Sequence, residues 1–115
     1  MSWHTLIKDI PDYPKAGIIF KDITPLLADG PGFSAAIEEM AQFCEEAGHR
    51  PDVLACPEAR GFIFAAALAQ RLGIGFIPLR KPGKLPREVS RITFDLEYGQ
   101  DTLEVHKDDV KSGVR

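Results

Sequence analysis

Apolar side chains at Phe33, Ile37, Met40, Ala41, Cys44 and Ala47 recur at helical spacing, with Glu38, Glu39, Glu45 and Glu46 mostly on the other side. This pattern predicts an amphipathic helix over 33–47, with Pro31 near its start and Gly48 just past its end. Val53-Leu54-Ala55-Cys56 is a short apolar run between Pro51 and Pro57, as expected of a buried strand. An Ala-rich helix is predicted from about Gly61 to Leu72, stopped by Gly73, and a second buried strand over Gly75–Leu79. Strand, helix, strand in that order is a βαβ unit, so the two strands should run parallel. Further on, Ile92, Phe94, Leu96 and Tyr98 alternate with Thr93, Asp95 and Glu97; Leu103 and Val105 resume the alternation after a turn at Gly99-Gln100-Asp101. A period of two predicts a hairpin over 91–106. Residues 9–32 are dense in turn formers, with Ile18-Ile19-Phe20 as a short extended run. Near the other end, Lys111-Ser112-Gly113 reads as a turn and Val114-Arg115 as the first residues of a new strand.

Composition narrows the class. The 115 residues amount to one domain, with 44% hydrophobic and 27% charged residues, an ordinary globular mix rather than a disordered one. The formal net charge of −3 argues against a basic nucleic-acid binder, and no apolar run reaches the roughly 18 residues of a membrane span. The first residues carry neither a signal-peptide core nor a transit pattern. Cys44 and Cys56 have no disulfide or zinc spacing and read as reduced thiols of a cytosolic protein.

The charge is unevenly placed. Residues 1–58 hold four basic side chains against ten acids, whereas residues 59–115 hold ten against seven. Five of the latter lie between Arg80 and Arg91, with Glu88 the only acid among them. A local cationic cluster in an acidic chain fits a small anionic ligand better than a long polyanion; a solvated loop is the plainer alternative.

Three segments could carry chemistry. Cys56-Pro57-Glu58-Ala59-Arg60-Gly61-Phe62 joins a parallel strand to a helix start, the edge where open α/β sheets bind ligands. Backbone N–H groups there, with the Arg60 guanidinium, suit a phosphate or pyrophosphate; a surface loop with a Glu58–Arg60 charge pair stands beside that reading. Arg80-Lys81-Pro82-Gly83-Lys84-Leu85-Pro86-Arg87 leaves the next strand at the same edge, either as a cationic lid or as a solvated loop. Glu97, in Asp95-Leu96-Glu97-Tyr98-Gly99, is either a general acid or base or a solvent-facing strand residue. His4, His49 and His106 have no metal-ligand spacing.

Taken together, three blocks resemble the adenine phosphoribosyltransferase family of type I phosphoribosyltransferases. The run from Asp12 to Leu27, containing Gly17-Ile18-Ile19-Phe20-Lys21-Asp22-Ile23-Thr24-Pro25, is similar to the family's N-terminal hood. Glu58-Ala59-Arg60-Gly61-Phe62 resembles its pyrophosphate-side loop, and Arg80 to Pro86 with Leu96-Glu97-Tyr98-Gly99 its flexible catalytic loop and flanks. The resemblance implies an α/β fold: a parallel sheet with flanking helices, a hood or arm over about 1–32, and a core over about 33–115 whose hairpin carries a flexible loop at about 81–101. It implies purine salvage, in which adenine and phosphoribosyl pyrophosphate give AMP and pyrophosphate with Mg2+ present, in a cytoplasmic homodimer. By the same resemblance Ile19, Phe20 and Lys21 meet adenine, the first and last through their backbones. Glu58, Ala59, Arg60, Arg80, Lys81 and Lys84 lie on the pyrophosphate side, with Arg80 also open to holding the loop in place. Glu97 is the proton donor or polariser near the purine N7, and Tyr98 helps close the site. No protein side chains are implied as a dedicated metal site, and the peptide near Glu58–Ala59 is expected to be cis.

One family motif is absent from these residues. An apolar strand, two adjacent acids and a Thr/Gly-rich loop hold the ribose and 5′-phosphate in the family; Asp108-Asp109 has neither the strand before it nor the loop after it. The expectation is therefore an incomplete domain lacking its C-terminal half, with two outcomes open: an enzyme in its parent protein, or a non-catalytic fragment that binds purine or dimerises.

Overall fold

The computed structural model describes residues 2–46, 48, 50–97 and 99–115. The chain forms two compact units, 1–42 and 43–115, so the division falls inside a helix.

In the first unit a 3-10 turn at Trp3–Leu6 leads into β1 (Lys8–Pro11), which pairs antiparallel with β2 (Ile19–Asp22) in the register Lys8↔Asp22 to Pro11↔Ile19. One short helix, and the start of a longer one, lie in the turn-rich segment. In α1 (Thr24–Ala28) Pro25 sits in the first turn, and the Asp22 carboxylate accepts from the Thr24 backbone N–H at 2.9 Å. The longer α2 (Gly30–Glu46) begins three residues before the apolar periodicity does. Its start is fixed by Asp29, whose carboxylate accepts from the Gly32 N–H at 2.8 Å as an N-cap. A Cβ at Gly32 would press on the side-chain ends of Leu6 and Asp29, including the Asp29 oxygen that caps the helix. Leu26, Ala36, Ile37 and Ala41 are the buried hydrophobic side chains here.

The second unit contains the βαβ element that the sequence predicts. β3 (Val53–Pro57) and β4 (Gly75–Leu79) are parallel, with Val53 opposite Gly75 and Pro57 opposite Leu79. Between them α3 (Arg60–Leu72) buries Ala65, Ala69 and Leu72, one helix face at four- and three-residue spacing. It ends at Gly73, whose φ of +71° closes a left-handed cap on the carbonyls of Ala69 and Gln70. Arg50 donates to the Leu72 carbonyl, and Arg71 pairs with Glu45 at 3.2 Å.

β5 (Val89–Leu96) and β6 (Gly99–His106) form the expected hairpin, but its reversal falls at Glu97, between the paired residues Leu96 and Gly99. The turn expected at Gly99–Asp101 is thus strand, because cross-strand contacts hold it there: Gln100 donates to Asp95 at 3.1 Å and the Thr93 and Thr102 hydroxyls meet at 2.8 Å. Which face is covered also differs from the simple alternation. On β6 the buried residues are Glu104 and His106, while Ile92, Phe94 and Leu96 of β5 are exposed. Val114-Arg115 form no strand; the Arg115 carbonyl instead accepts from the N–H groups of Asp52 and Val53, at 2.7 and 3.3 Å. Cys44 and Cys56 are free thiols.

Candidate functional site

The first unit offers one open backbone edge and one hollow beside it. Tyr13 meets Phe20 edge-on at 5.2 Å, and a cavity of about 320 Å3 is lined by Ile10, Tyr13, Phe20, Asp22 and Thr24. The loop between β1 and β2 is shaped by Asp12, at φ +58°, whose carboxylate accepts from Gly17 N–H at 2.9 Å. The Tyr13–Pro14 peptide is cis. Antiparallel pairs alternate between hydrogen-bonded and non-hydrogen-bonded types. Pro11 has no N–H, so its pair with Ile19 must be of the second type, as must Asp9↔Lys21 two residues on. The N–H and C=O groups of Ile19 and Lys21 therefore point away from β1, while those of Phe20 point into the ladder. Among the described residues β1 is the only strand beside β2. The Ile19 side chain is exposed, and the Lys21 ammonium is occupied by Asp9 at 2.6 Å. Two hydrogen bonds from Thr24, backbone and side chain, hold the Asp22 carboxyl below its ordinary range.

The second unit gathers charge at the C-terminal ends of β3 and β4. The turn after β3 contains a cis Glu58–Ala59 peptide, as the resemblance implies, and Glu58 N–H donates to the Leu79 carbonyl at 3.1 Å. Arg60 is the exposed first residue of α3. The next residue packs so closely that a Cβ on Gly61 would collide with the Cys56 sulfur. Glu58 does not reach toward Arg60 as the neighbour-pair reading has it. Its carboxylate takes Arg80 Nε at 3.0 Å and the Lys81 backbone N–H at 2.9 Å on one oxygen, and Lys84 Nζ at 2.5 Å on the other. These donors, Lys84 first, then the Lys81 N–H and Arg80, lower its pKa from 4.5 to about 2.

The cationic loop 81–87 is braced along its length. Glu104 exchanges both backbone hydrogen bonds with Arg80, at 2.9 and 2.7 Å, and its carboxylate accepts from Gly83 N–H at 3.1 Å. The other Glu104 oxygen pairs with Arg91 at 2.9 Å. His106 Nε2 accepts from Arg87 N–H at 3.2 Å, and Arg87 also pairs with Asp109 at 3.0 Å. The Arg80 guanidinium lies 5.8 Å from the centre of the Phe62 ring, and Lys81 Nζ bonds Asp101, whose carboxyl it holds below the usual range.

Glu97 is not part of this gathering. It is exposed at the hairpin reversal, before Gly99, and Gly99 is itself five residues, about 17 Å at strand rise, along β6 from Glu104. Tyr98 lies outside the described residues. Glu104 and Asp101 are the charged residues here that the sequence reading did not single out. The available signal was Glu104 itself, a carboxylate between the apolar Leu103 and Val105. No group of three or more His, Cys, Asp or Glu side chains suited to a metal ion occurs among the described residues, nor any helix long and apolar enough to cross a membrane.

This edge and the cationic loop that faces it both lie within a segment that matches a known domain family. The family model for the phosphoribosyl transferase domain matches residues 26–107, and the chain belongs to that family. Its curated relatives include the adenine phosphoribosyltransferase of Dichelobacter nodosus, 75% identical over all 115 residues of this chain and 66% of its own length. Another is the adenine phosphoribosyltransferase of Clostridium perfringens, 53% identical over the same share of each chain. Among solved structures, adenine phosphoribosyltransferase from Thermoanaerobacter pseudethanolicus superposes with a TM-score of 0.91 at 54% identity, covering 97% of this chain and 64% of that one. The Saccharomyces cerevisiae enzyme, complexed with adenine and an iminoaltritol bisphosphate, gives 0.92 at 35% identity, covering 97% and 65%. The chain thus spans just under two thirds of the length of these relatives.

Proposed function

We propose that this chain serves purine salvage as part of an adenine phosphoribosyltransferase, a glycosyltransferase that joins adenine to C1′ of phosphoribosyl pyrophosphate to give AMP and pyrophosphate. One observation carries the reading: 75% identity, over every residue of this chain, to a protein of that name. In the reaction the purine N9–C1′ bond forms, the bond from C1′ to pyrophosphate breaks, and the proton on adenine is lost. Charge grows on the departing pyrophosphate, where positioned cations are most useful.

The geometry of each unit supports a share of this. The outward N–H and C=O groups on β2 at Ile19 and Lys21 form a donor–acceptor pair for the adenine N1 and N6 edge, with Phe20 in the hollow beside it. A 6-oxo purine would leave that pair mismatched, which is worth several powers of ten in discrimination. Arg60, the Ala59 peptide at the helix start, Arg80, Lys81 and Lys84 take the pyrophosphate side. Glu97 takes up the proton that adenine loses, acting as its donor in the reverse direction, or polarises the purine near N7, and Tyr98 helps close the site. Mg2+ belongs to the substrate, carried on phosphoribosyl pyrophosphate. A cytoplasmic homodimer is the expected assembly.

A second reading is favoured by the 66% span: the chain by itself binds adenine or pyrophosphate, or dimerises, without turnover. Calorimetry of the 115-residue chain with adenine and with hypoxanthine tests the substrate class; adenine should bind at least ~100-fold more tightly. Equal affinities would contradict the proposed purine site. Formation of AMP from adenine and phosphoribosyl pyrophosphate by this chain would remove the second reading.

A further inference from the structure

We propose that Glu58 is an internal counter-ion: its carboxylate occupies the place that the Arg80, Lys81 and Lys84 donors offer to a phosphoryl anion, and it surrenders those donors when pyrophosphate binds. This rests on the reading of the edge as a pyrophosphate site and assigns Glu58 a positioning role there, not a direct contact.

The convergence is the first argument. Two oxygens of one carboxylate receive a guanidinium N–H, a backbone N–H and an ammonium, at 3.0, 2.9 and 2.5 Å. Two oxygens of a phosphoryl group present the same acceptors to the same donors. The second argument is that neither side depends wholly on the other. The Glu58 backbone is tied to Leu79 through its own N–H, so its side chain can leave without the turn moving. Arg80 is kept by its backbone exchange with Glu104 and by Phe62, Lys81 by Asp101, and the loop by Gly83 on Glu104. Lys84 is the adaptable donor, with 45% of its side chain exposed. The third argument is charge. Two cationic side chains face one carboxylate, which these donors keep ionised throughout the neutral range, so the cluster remains positive and attracts an anion even while filled. A filled cluster also keeps Lys84 and Arg80 aimed at one point before the ligand arrives.

The experiment is pyrophosphate binding by the 115-residue chain, wild type beside Glu58→Gln and Glu58→Asp, by calorimetry at constant ionic strength, with the Lys81 backbone amide followed by NMR. Exchange predicts that Glu58→Gln binds pyrophosphate about tenfold more tightly, because the competing charge is gone. Glu58→Asp should show no such gain. In the wild type, the Lys81 amide resonance should shift on titration. Equal or weaker binding by Glu58→Gln, or no pyrophosphate binding by either protein, overturns the exchange. Should Glu58→Gln fail to fold, the wild-type titration decides alone, since an unmoved Lys81 amide at saturation means a permanent strut. Adenine binding, measured on the same samples, separates the two claims. Adenine bound with no gain in Glu58→Gln sinks only the counter-ion. A gain with no adenine binding sinks only the adenine reading.

Discussion

Loop 81–87 and the hairpin reversal at Glu97 lie in the same unit, and both carry residues assigned to the reaction, yet they are built in opposite ways. In the loop, backbone N–H groups at Lys81, Gly83 and Arg87 each donate to a side chain from elsewhere: Glu58, Glu104 and His106. At the reversal, exposed Leu96 and Glu97 follow the cross-strand contact between Gln100 and Asp95. In the proposed function, the groups given to the anion are thus prepared in advance, and the group given to the proton is not. Preparation suits donors that must be aimed before charge develops, whereas a group that closes over a substrate has to be free to arrive.

The sharpest way to break this contrast is at Glu97. In a catalytically competent protein carrying this hairpin, Glu97→Ala should lower kcat by about 100-fold or more while adenine affinity changes little. An unchanged kcat would remove Glu97 from the chemistry. Glu104→Leu acts on the other side of the comparison. It strips Gly83 N–H and Arg91 of their acceptor, and should cost about 2 kcal/mol in urea unfolding of this chain. A loss below ~0.5 kcal/mol would mean that the loop is not braced there. Next in size, Arg60→Ala should weaken pyrophosphate binding about tenfold, and equal affinity by calorimetry would leave Arg60 a structural residue. The smallest effect is in pH dependence. Glu58 has a folded pKa of about 2 against an ordinary 4.5, so its contribution is fully present above 4.5 and is lost as pH falls through 2. Thermal midpoints should therefore fall less steeply below pH 4.5 in Glu58→Gln than in the wild type. Parallel curves would show that the carboxylate is not held by these donors.

Much of the second unit was legible because its signals are local. Apolar runs bounded by Pro51, Pro57 and Gly73 mark β3, α3 and β4 almost to the residue. The start of α2 was not legible, because Gly30-Pro31-Gly32 reads as a turn until Asp29 caps it and Leu6 packs over Gly32. The inward face of β6 was hidden for a related reason: Glu104 is buried only because Gly83 and Arg91, both distant in sequence, supply its partners. Glu58 was singled out, but its neighbour Arg60 was the nearest cation in sequence, while the actual donors come from the loop after β4. The outward groups of Ile19 and Lys21 follow from one residue, Pro11, but only once the register is fixed.

The most direct test of the account is a pair of NMR titrations of the isotope-labelled chain, one with adenine and one with pyrophosphate. The account predicts that adenine shifts the amides of Ile19 and Lys21 while pyrophosphate shifts those of Ala59, Arg60 and Lys81. Adenine leaving Ile19 and Lys21 unmoved, or pyrophosphate leaving 59–61 and 81–84 unmoved, would contradict it.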